Sequence, residues 1–204
     1  MTKNKKNKLG TREITIIGML GAIATILMLF EIPLPFAPSF YEIDLSEVPV
    51  LVGCFALGPV AGILIELVKI LLNLIINGTM TAGVGELANF CIGLSFCIPA
   101  GLIYNRKKTK KGAVIGLVSG TLLMTFLGCF INAYVMLPTY AKAFQIPIDG
   151  LIEMGTKVNA SITDLFTFVM FAVVPFNLIK GILVSIVVLF IYKKISPILK
   201  RKTL

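Results

Sequence analysis

The chain has 204 residues, of which 57% are hydrophobic and 14% are charged, and its mean hydropathy is +0.95. This composition excludes an ordinary soluble domain and indicates an integral membrane protein. A hydrocarbon core of roughly 30 Å needs about 20 helical residues for each crossing, so the length allows about six spans and no sizeable soluble domain.

The net charge of +9 comes mainly from three basic clusters that alternate with apolar runs, at 3–12, 106–111 and 193–202. This alternation is typical of membrane topology signals, so we expect no nucleic-acid partner. Because cytoplasmic loops carry the excess of Lys and Arg, the pattern predicts a multi-pass protein of the cell membrane with both termini in the cytoplasm. We assign 1–11 and 196–204 to basic cytoplasmic tails.

The remaining residues, 12–195, are predicted to form a single membrane domain. Its first span, at 12–30, ends in a loop at 32–43 that is rich in proline and aromatic residues, because its prolines interrupt the helix. The next apolar run would be about 45 Å long as one helix, and Gly58-Pro59 breaks it into two spans. The fold class is therefore an all-α, six-transmembrane-helix bundle with a Pro/aromatic-rich first extracellular loop. The predicted spans are 12–30, 47–57, 59–76, 84–104, 112–134 and 164–192.

Enzymatic chemistry is not expected of this chain. It contains no His, its four Cys lie in apolar segments, and it has no phosphate-binding loop or nucleophile elbow. We therefore predict no catalytic residue, no metal site and no cofactor, and any ATP-driven step must be performed by other chains.

Two polar residues lie deep inside the last apolar span, Asn177 and Lys180, and their spacing puts them on one helix face. An ammonium at this depth usually faces a wet cavity or the interior of a bundle, which predicts one wall of a binding pocket. The alternative is that Lys180 extends to the interface or pairs with a carboxylate only to hold helices together.

Three further residues are candidates for the same pocket. Glu86 and Asn89 share a face at the start of the fourth span, and Asn132 lies in the outer part of the fifth. An Asn amide donates and accepts in one plane, which suits the edge of a heterocycle. Glu86 could instead favour a helix N-terminus, and Asn132 could form an interhelical hydrogen bond.

The first loop is a candidate lid over a flat ligand, and it could equally be an interfacial anchor. Its candidate residues are Leu34, Phe36, Phe40 and Tyr41. Inside the third span, Glu66 and Lys69 are three residues apart, and we interpret them as a mainly structural ion pair.

Small residues on the first helix form overlapping pairs four residues apart, which allow close helix packing inside the chain or against a partner. The pairs are Gly18 with Ala22 and Gly21 with Thr25.

Several segments together resemble the riboflavin-specific substrate-binding component of energy-coupling factor (ECF) vitamin transporters. The specific part of the resemblance is the motif Asp44-Leu45-Ser46-Glu47-Val48-Pro49 and the motif Asn177-Leu178-Ile179-Lys180. The segments 32–40, 55–62, 66–72, 85–90 and 175–181 also contribute.

This resemblance implies a six-helix protein that binds riboflavin near the extracellular side and works with a transmembrane coupling subunit and two cytoplasmic ATPases. Carried onto this chain, the resemblance implies that the polar edges of the ligand are bound by Glu86, Asn132, Asn177 and Lys180. It also implies that the loop at 34–41 closes over the ligand as a lid. It also implies a docking patch on helix one, whose nearest match here is Gly18 and Ala22, with Gly21 and Thr25 overlapping. Asn89 is added from helix geometry alone.

Two alternatives stay open on the sequence. The ligand could be another vitamin or a flavin phosphate, although the outer side offers a phosphate only Lys142 and Lys157. The chain could also be a small self-sufficient secondary transporter or channel, in which Lys180 or the pair of Glu66 and Lys69 gates an ion.

Overall fold

The structure is a computed structural model that describes residues 10–35, 37, 38 and 40–200, with side chains described as far as residue 195. Most of it is helical, and only one two-residue strand pair interrupts the helices within the described ranges. The elements are α1 (Thr11–Met28), β1 (Ile32–Pro33), β2 (Glu42–Ile43), α2 (Glu47–Leu57), α3 (Pro59–Asn77), α4 (Val84–Arg106), α5 (Lys110–Ile131), α6 (Leu137–Phe144), α7 (Ile148–Val158), α8 (Leu165–Phe168) and α9 (Val174–Lys200).

The predicted break at Gly58 is present. Helix α2 ends at Leu57, α3 begins at Pro59, and Gly58 between them has a φ of 106°, which a glycine adopts readily. Proline at the first helical position of α3 then fits, because its missing N–H has no partner there in any helix.

Helix α2 is shorter than a membrane span. It has 11 residues, or roughly 16 Å of helix, and all of its residues from Glu47 to Ala56 are buried. Among the described residues, five helical stretches are long and apolar enough to cross a membrane. The all-α membrane fold is thus confirmed, whereas the count of six membrane-crossing helices is not, because α2 is a short helix enclosed by the others.

Two of the five long stretches are interrupted by a π-helical turn, at Asn132–Met136 between α5 and α6 and at Val169–Val173 between α8 and α9. Each turn is followed two residues later by a proline, Pro138 or Pro175. A proline cannot donate to the carbonyl four residues back and its ring clashes with it, so the helix widens at that position. Such turns are frequent at functional sites.

The first loop leaves α1 after Met28, as the prolines predict, and folds back as a short antiparallel pair in which Ile32 faces Ile43. Two backbone hydrogen bonds close the loop: the Leu34 N–H donates across it to the Tyr41 carbonyl at 3.4 Å, and the Tyr41 N–H donates to the Pro38 carbonyl at 2.9 Å in a turn. The hairpin therefore lies across one end of the bundle, which we call the loop end.

Two apolar cores hold the molecule together. The larger core surrounds α2 and draws on α1, α3, α4, α5 and α9, with Leu51, Ile65 and Phe96 among its fully buried members. The smaller core lies at the loop end, where Tyr41 and Ala37 of the loop pack with residues of α6, α7 and α8. The second core is what attaches the loop to the helices.

A buried ion cluster fixes α2 against α3. The Lys69 ammonium lies 2.7 Å from Glu47 Oε1 of α2 and 2.7 Å from Glu66 Oε1 of its own helix, and none of the three side chains is more than 2% exposed. The predicted pair of Glu66 and Lys69 is present, and Glu47 is the partner that the sequence did not reveal.

We predict that Lys69→Met destabilises the protein by about 3–5 kcal/mol, because it leaves the negative charge of the cluster buried without its cation. The measurement is the midpoint of thermal unfolding of the purified chain in detergent. Lys157→Met, at an exposed lysine, is the matched control and should unfold with the original chain. A Lys69→Met midpoint equal to that of the control would show that the cluster does not stabilise the fold.

Candidate ligand-binding site

A cavity of about 880 Å³ opens at the loop end, within the size range of small-molecule sites. It lies under the first loop, between the ends of α3, α4, the first π turn and α9. Its polar lining consists of Glu31, Glu42, Asp44, Asn73, Asn77, Thr81, Glu86, Asn89, Asn132, Asn177 and Lys180, and Met28, Phe40, Tyr41, Ile92, Met136, Tyr140, Phe144, Met154 and Phe176 supply much of its apolar surface.

The structure brings most of the predicted site residues to this one cavity. Seven of them line it: Phe40, Tyr41, Glu86, Asn89, Asn132, Asn177 and Lys180. Leu34 does not line it and instead packs against the smaller core behind the loop. Phe36 lies outside the described residues.

Lys180 reaches the cavity and is paired there. Its ammonium donates to Asp44 Oδ2 at 2.9 Å, and Asp44 Oδ1 accepts the backbone N–H of Ser46 at 2.7 Å. Burial alone would raise the pKa of Asp44, but Lys180 and Lys69 hold it at about 2, so Asp44 stays ionised. Lys180 thus pairs with a carboxylate, as expected if it served only to hold helices together. It also lines the cavity, as expected of a binding residue.

Asn177 and Asn132 both lie against Gly128 of α5. Each amide nitrogen donates to the carbonyl four residues earlier: Asn177 to Val173 at 2.9 Å and Asn132 to Gly128 at 2.8 Å. A Cβ at Gly128 would stand 2.9 Å from the Asn177 amide nitrogen, so only glycine allows this approach. Each amide nitrogen has a second N–H beyond the bond described, which makes the pair a source of donors at the cavity wall.

Tyr41 attaches the loop to this wall. Its hydroxyl donates to Asn132 Oδ1 at 2.9 Å, and its ring centroid lies 5.1 Å from that of Phe176. Phe40 extends the aromatic cover, with its ring centroid 5.2 Å from that of Tyr140. The result is an aromatic roof held by one hydrogen bond to a residue of the wall.

Glu86 and Asn89 stand on the opposite side, at the start of α4. Glu86 Oε2 accepts the Thr79 hydroxyl at 3.0 Å, within the turn that precedes the helix, and both Glu86 and Asn89 are half-buried. Glu86 is therefore partly committed to its own helix start, as its structural alternative predicts, while it also faces the cavity.

Sequence reasoning missed six polar lining residues: Glu31, Glu42, Asp44, Asn73, Asn77 and Thr81. Asn73 and Asn77 could have been found, because they lie four residues apart on one face of α3 and are hydrogen-bonded at 2.9 Å. Asp44 belongs to the motif at 44–49 that the sequence singled out, although no role was assigned to its side chain. Glu31 and Glu42 carried no comparable signal, since only the folding of the loop brings them to the cavity.

Glu31, Glu42 and Asp44, which we call the acidic mouth, line the cavity from the loop side and add negative charge to its lining. Partial burial and a hydrogen bond with Glu42 raise the pKa of Glu31 to about 7, with the charges of Glu42 and Asp44 acting in the same direction. Lys180 is the single basic residue that lines the cavity within the described part of the chain. The arrangement suits a ligand that is uncharged and rich in hydrogen-bonding groups.

The small residues of α1 divide into two faces. Gly21 and Thr25 are buried against α3: a Cβ at Gly21 would collide with Val68, and the Thr25 hydroxyl lies 3.3 Å from the Lys69 carbonyl. Gly18 and Ala22 are exposed, and a Cβ at Gly18 would meet nothing within 4 Å. This corrects the predicted docking patch, because Gly21 and Thr25 are already used inside the chain.

Comparisons with known proteins identify the family. The model of the ECF transporter substrate-specific component matches residues 12–192. The riboflavin transporter RibU of Staphylococcus aureus (strain TCH60) is 36% identical over 98% of both chains. The riboflavin transporter FmnP of Bacillus subtilis (strain 168) is 34% identical over 91% of this chain and 93% of its own.

A solved structure agrees with the sequence relatives. The S component of a bacterial ECF transporter superposes with a TM-score of 0.71 at 36% identity, covering 93% of this chain and 98% of that one. The chain therefore belongs to the family of substrate-specific components (S components) of ECF transporters.

Proposed function

We propose that this S component captures riboflavin in the cavity at the loop end and delivers it across the cell membrane with an ATP-driven coupling module. The observation that carries the ligand assignment is the wall formed by Asn132, Asn177 and Lys180 beneath the aromatic roof. Two relatives that match over nine-tenths of this chain are named riboflavin transporters, which supports the same ligand.

The chemistry of riboflavin fits the cavity. Its ring system is flat, neutral and edged with carbonyl and nitrogen groups, while its side chain is a polyol. The aromatic roof offers faces on which a ring can pack, and the amides of Asn132 and Asn177 together with the Lys180 ammonium offer donors to the ring edge. Lys180 has a binding role in this proposal and no catalytic one.

The far side of the cavity provides groups for the polyol. Glu86, Asn89, Asn73 and Asn77 line it from α3 and α4 and present both donors and acceptors. A hydroxylated chain needs several such partners, because each hydroxyl buried without one would reduce affinity.

Delivery requires other chains in this proposal. We propose a transmembrane coupling subunit and two cytoplasmic ATPases as partners, with both termini of this chain in the cytoplasm and the loop end on the extracellular side. The exposed pair of Gly18 and Ala22 on α1 is the proposed docking patch, because small residues on an outward face allow a second helix to approach closely.

A second candidate function is a self-sufficient secondary transporter. It is favoured by the buried charges of Glu66 and Lys69, since ionisable residues at membrane depth often mark ion pathways. Uptake by this chain alone, driven by a proton or sodium gradient without ATP, would establish that function in place of the S-component role.

The ligand assignment is tested by the visible absorption and fluorescence of the chain purified in detergent, titrated with riboflavin. We expect saturable quenching, and we expect Lys180→Ala and Asn177→Ala each to weaken binding at least tenfold, or about 1.4 kcal/mol. Lys157→Ala, at an exposed lysine, is the control. Unchanged affinity in both cavity variants, with unfolding midpoints near that of the control, would refute the assignment.

The acidic mouth should discriminate against riboflavin phosphate. At pH 8 Glu31 is ionised. At a separation of about 6 Å in wet surroundings, the repulsion between this carboxylate and a phosphate charge is roughly 0.7 kcal/mol, which weakens phosphate binding about threefold. Glu31→Gln should therefore bind riboflavin phosphate about threefold more tightly than the original chain at pH 8 and equally at pH 6. Riboflavin itself is the neutral control, and an equal gain for both ligands would contradict the electrostatic effect.

The docking patch is tested by replacing Gly18 and Ala22 together with leucine. This change should leave riboflavin binding intact and abolish ATP-dependent uptake in vesicles that contain the coupling subunit and ATPases. The matched control is Val114→Leu with Val118→Leu, on an exposed face of α5. Normal uptake by the α1 variant would place the docking surface elsewhere.

A further inference from the structure

Five charged side chains form two linked groups that extend from the cavity into the larger core. At the cavity, Lys180 pairs with Asp44 at 2.9 Å; deeper in the bundle, Lys69 lies 2.7 Å from both Glu47 and Glu66. The two groups act on each other, because Lys69 helps to hold the pKa of Asp44 low. The deeper group is the buried ion cluster described above, and the riboflavin proposal makes no use of it.

The charges of these five side chains do not balance. Three carboxylates face two ammonium groups, which leaves one negative charge in excess inside an apolar core. Among the described residues, the thiol of Cys97 on α4 also interacts with both glutamates, and a thiol ordinarily carries no charge at pH 7. An uncompensated buried charge is strongly destabilising, so a further positive charge is needed.

The hydrogen bonds of the cluster are also incomplete. Glu47 Oε1 accepts from Lys69 and Glu66 Oε1 forms an ion pair with the same ammonium at 2.7 Å, whereas Glu47 Oε2, Glu66 Oε2 and the Ser46 hydroxyl are buried without a hydrogen-bond partner among the described residues. These oxygens lie in the core, where the carboxylates are at most 2% exposed. A proton on one carboxyl would convert an unpartnered acceptor into a donor.

The two carboxylates are also held close together. Both crowd Gly93 of α4: a Cβ there would stand 3.0 Å from Glu47 Oε1 and would collide with Glu66 Oε1. Two carboxylates that share a buried site do not both ionise readily, because each charge raises the free energy of the other. Lys69 alone can balance only one of them.

We propose that the buried ion cluster is a proton-binding site, in which Glu47 and Glu66 hold one proton between them and Lys69 is the fixed counterion. The proton brings the sum of the five charges to zero. Both carboxylates contact the Lys69 ammonium at 2.7 Å, so the two share the proton.

A bound metal cation is the competing way to supply the charge. The described residues contain no group of three or more His, Cys, Asp or Glu side chains that could hold a metal ion. The Lys69 ammonium also contacts both carboxylates, where such an ion would have to sit. A proton needs neither extra ligands nor that space.

The direct test is the infrared absorption of a protonated carboxyl in the full chain, purified in detergent at pH 7. It is made in the Glu31→Gln background, because the pKa of Glu31, about 7, would add a band of its own. We expect a band that disappears in Glu66→Gln and in Glu47→Gln, either of which leaves a single carboxyl beside Lys69. The matched control, Glu153→Gln at an exposed position, should keep it. Absence of the band at pH 7, or its persistence in both cluster variants, would overturn the proposal.

Thermal unfolding against pH provides a second measurement. A carboxyl that is protonated in the folded chain at pH 7 and ionised in the unfolded chain makes stability fall as pH rises above the ordinary Glu pKa of about 4.3. One such proton lowers the folding equilibrium constant about tenfold per pH unit, until the folded chain also releases it. We expect Glu66→Gln to lack this contribution, while Glu153→Gln retains it. An identical pH slope in both variants, or stabilisation that follows sodium concentration instead of pH, would overturn the proposal.

Discussion

The structure depends on the pairing of charges inside an apolar bundle. Lys69 is fully buried, and its ammonium contacts carboxylates from two helices at 2.7 Å. An unpaired charge in such surroundings would be strongly unfavourable, so the buried Glu47 requires a cation, and its contact with Lys69 fixes α2 inside the bundle beside α3. The short length of α2 is compatible with that position, because the surrounding long helices shield it.

The same constraint links the interior to the cavity. Asp44 lies three residues before Glu47, at the end of the first loop, and pairs with Lys180 of α9. The entry of the chain into α2 therefore carries one carboxylate to the cavity and another to the core. This places the loop against α9 and gives the cavity its cation.

The cavity itself results from irregular helices. The π turns before Leu137 and Val174 leave the long helices widened near the loop end, where Asn132 begins one turn and the Asn177 amide bonds back to the last residue of the other. On regular, tightly packed helices, side-chain amides would be covered by the neighbouring helices and would not reach a ligand. Here they line an open space, roofed by Tyr41 and its aromatic neighbours, and this is the geometry that a neutral planar ligand requires.

The sequence by itself determined the membrane class, the loop after α1, the break at Gly58 and seven of the residues that line the cavity, because apolar length, proline, glycine and buried polar groups each act locally. It also indicated Asn177 and Lys180, since polar groups deep in an apolar span usually face a bundle interior or a wet cavity. Only the tertiary structure decided that the other helices enclose α2, that Gly21 and Thr25 face inward, and that Glu47 is a partner of Lys69. These outcomes depend on contacts between residues distant along the chain, and no local pattern of spacing specifies which helix faces meet.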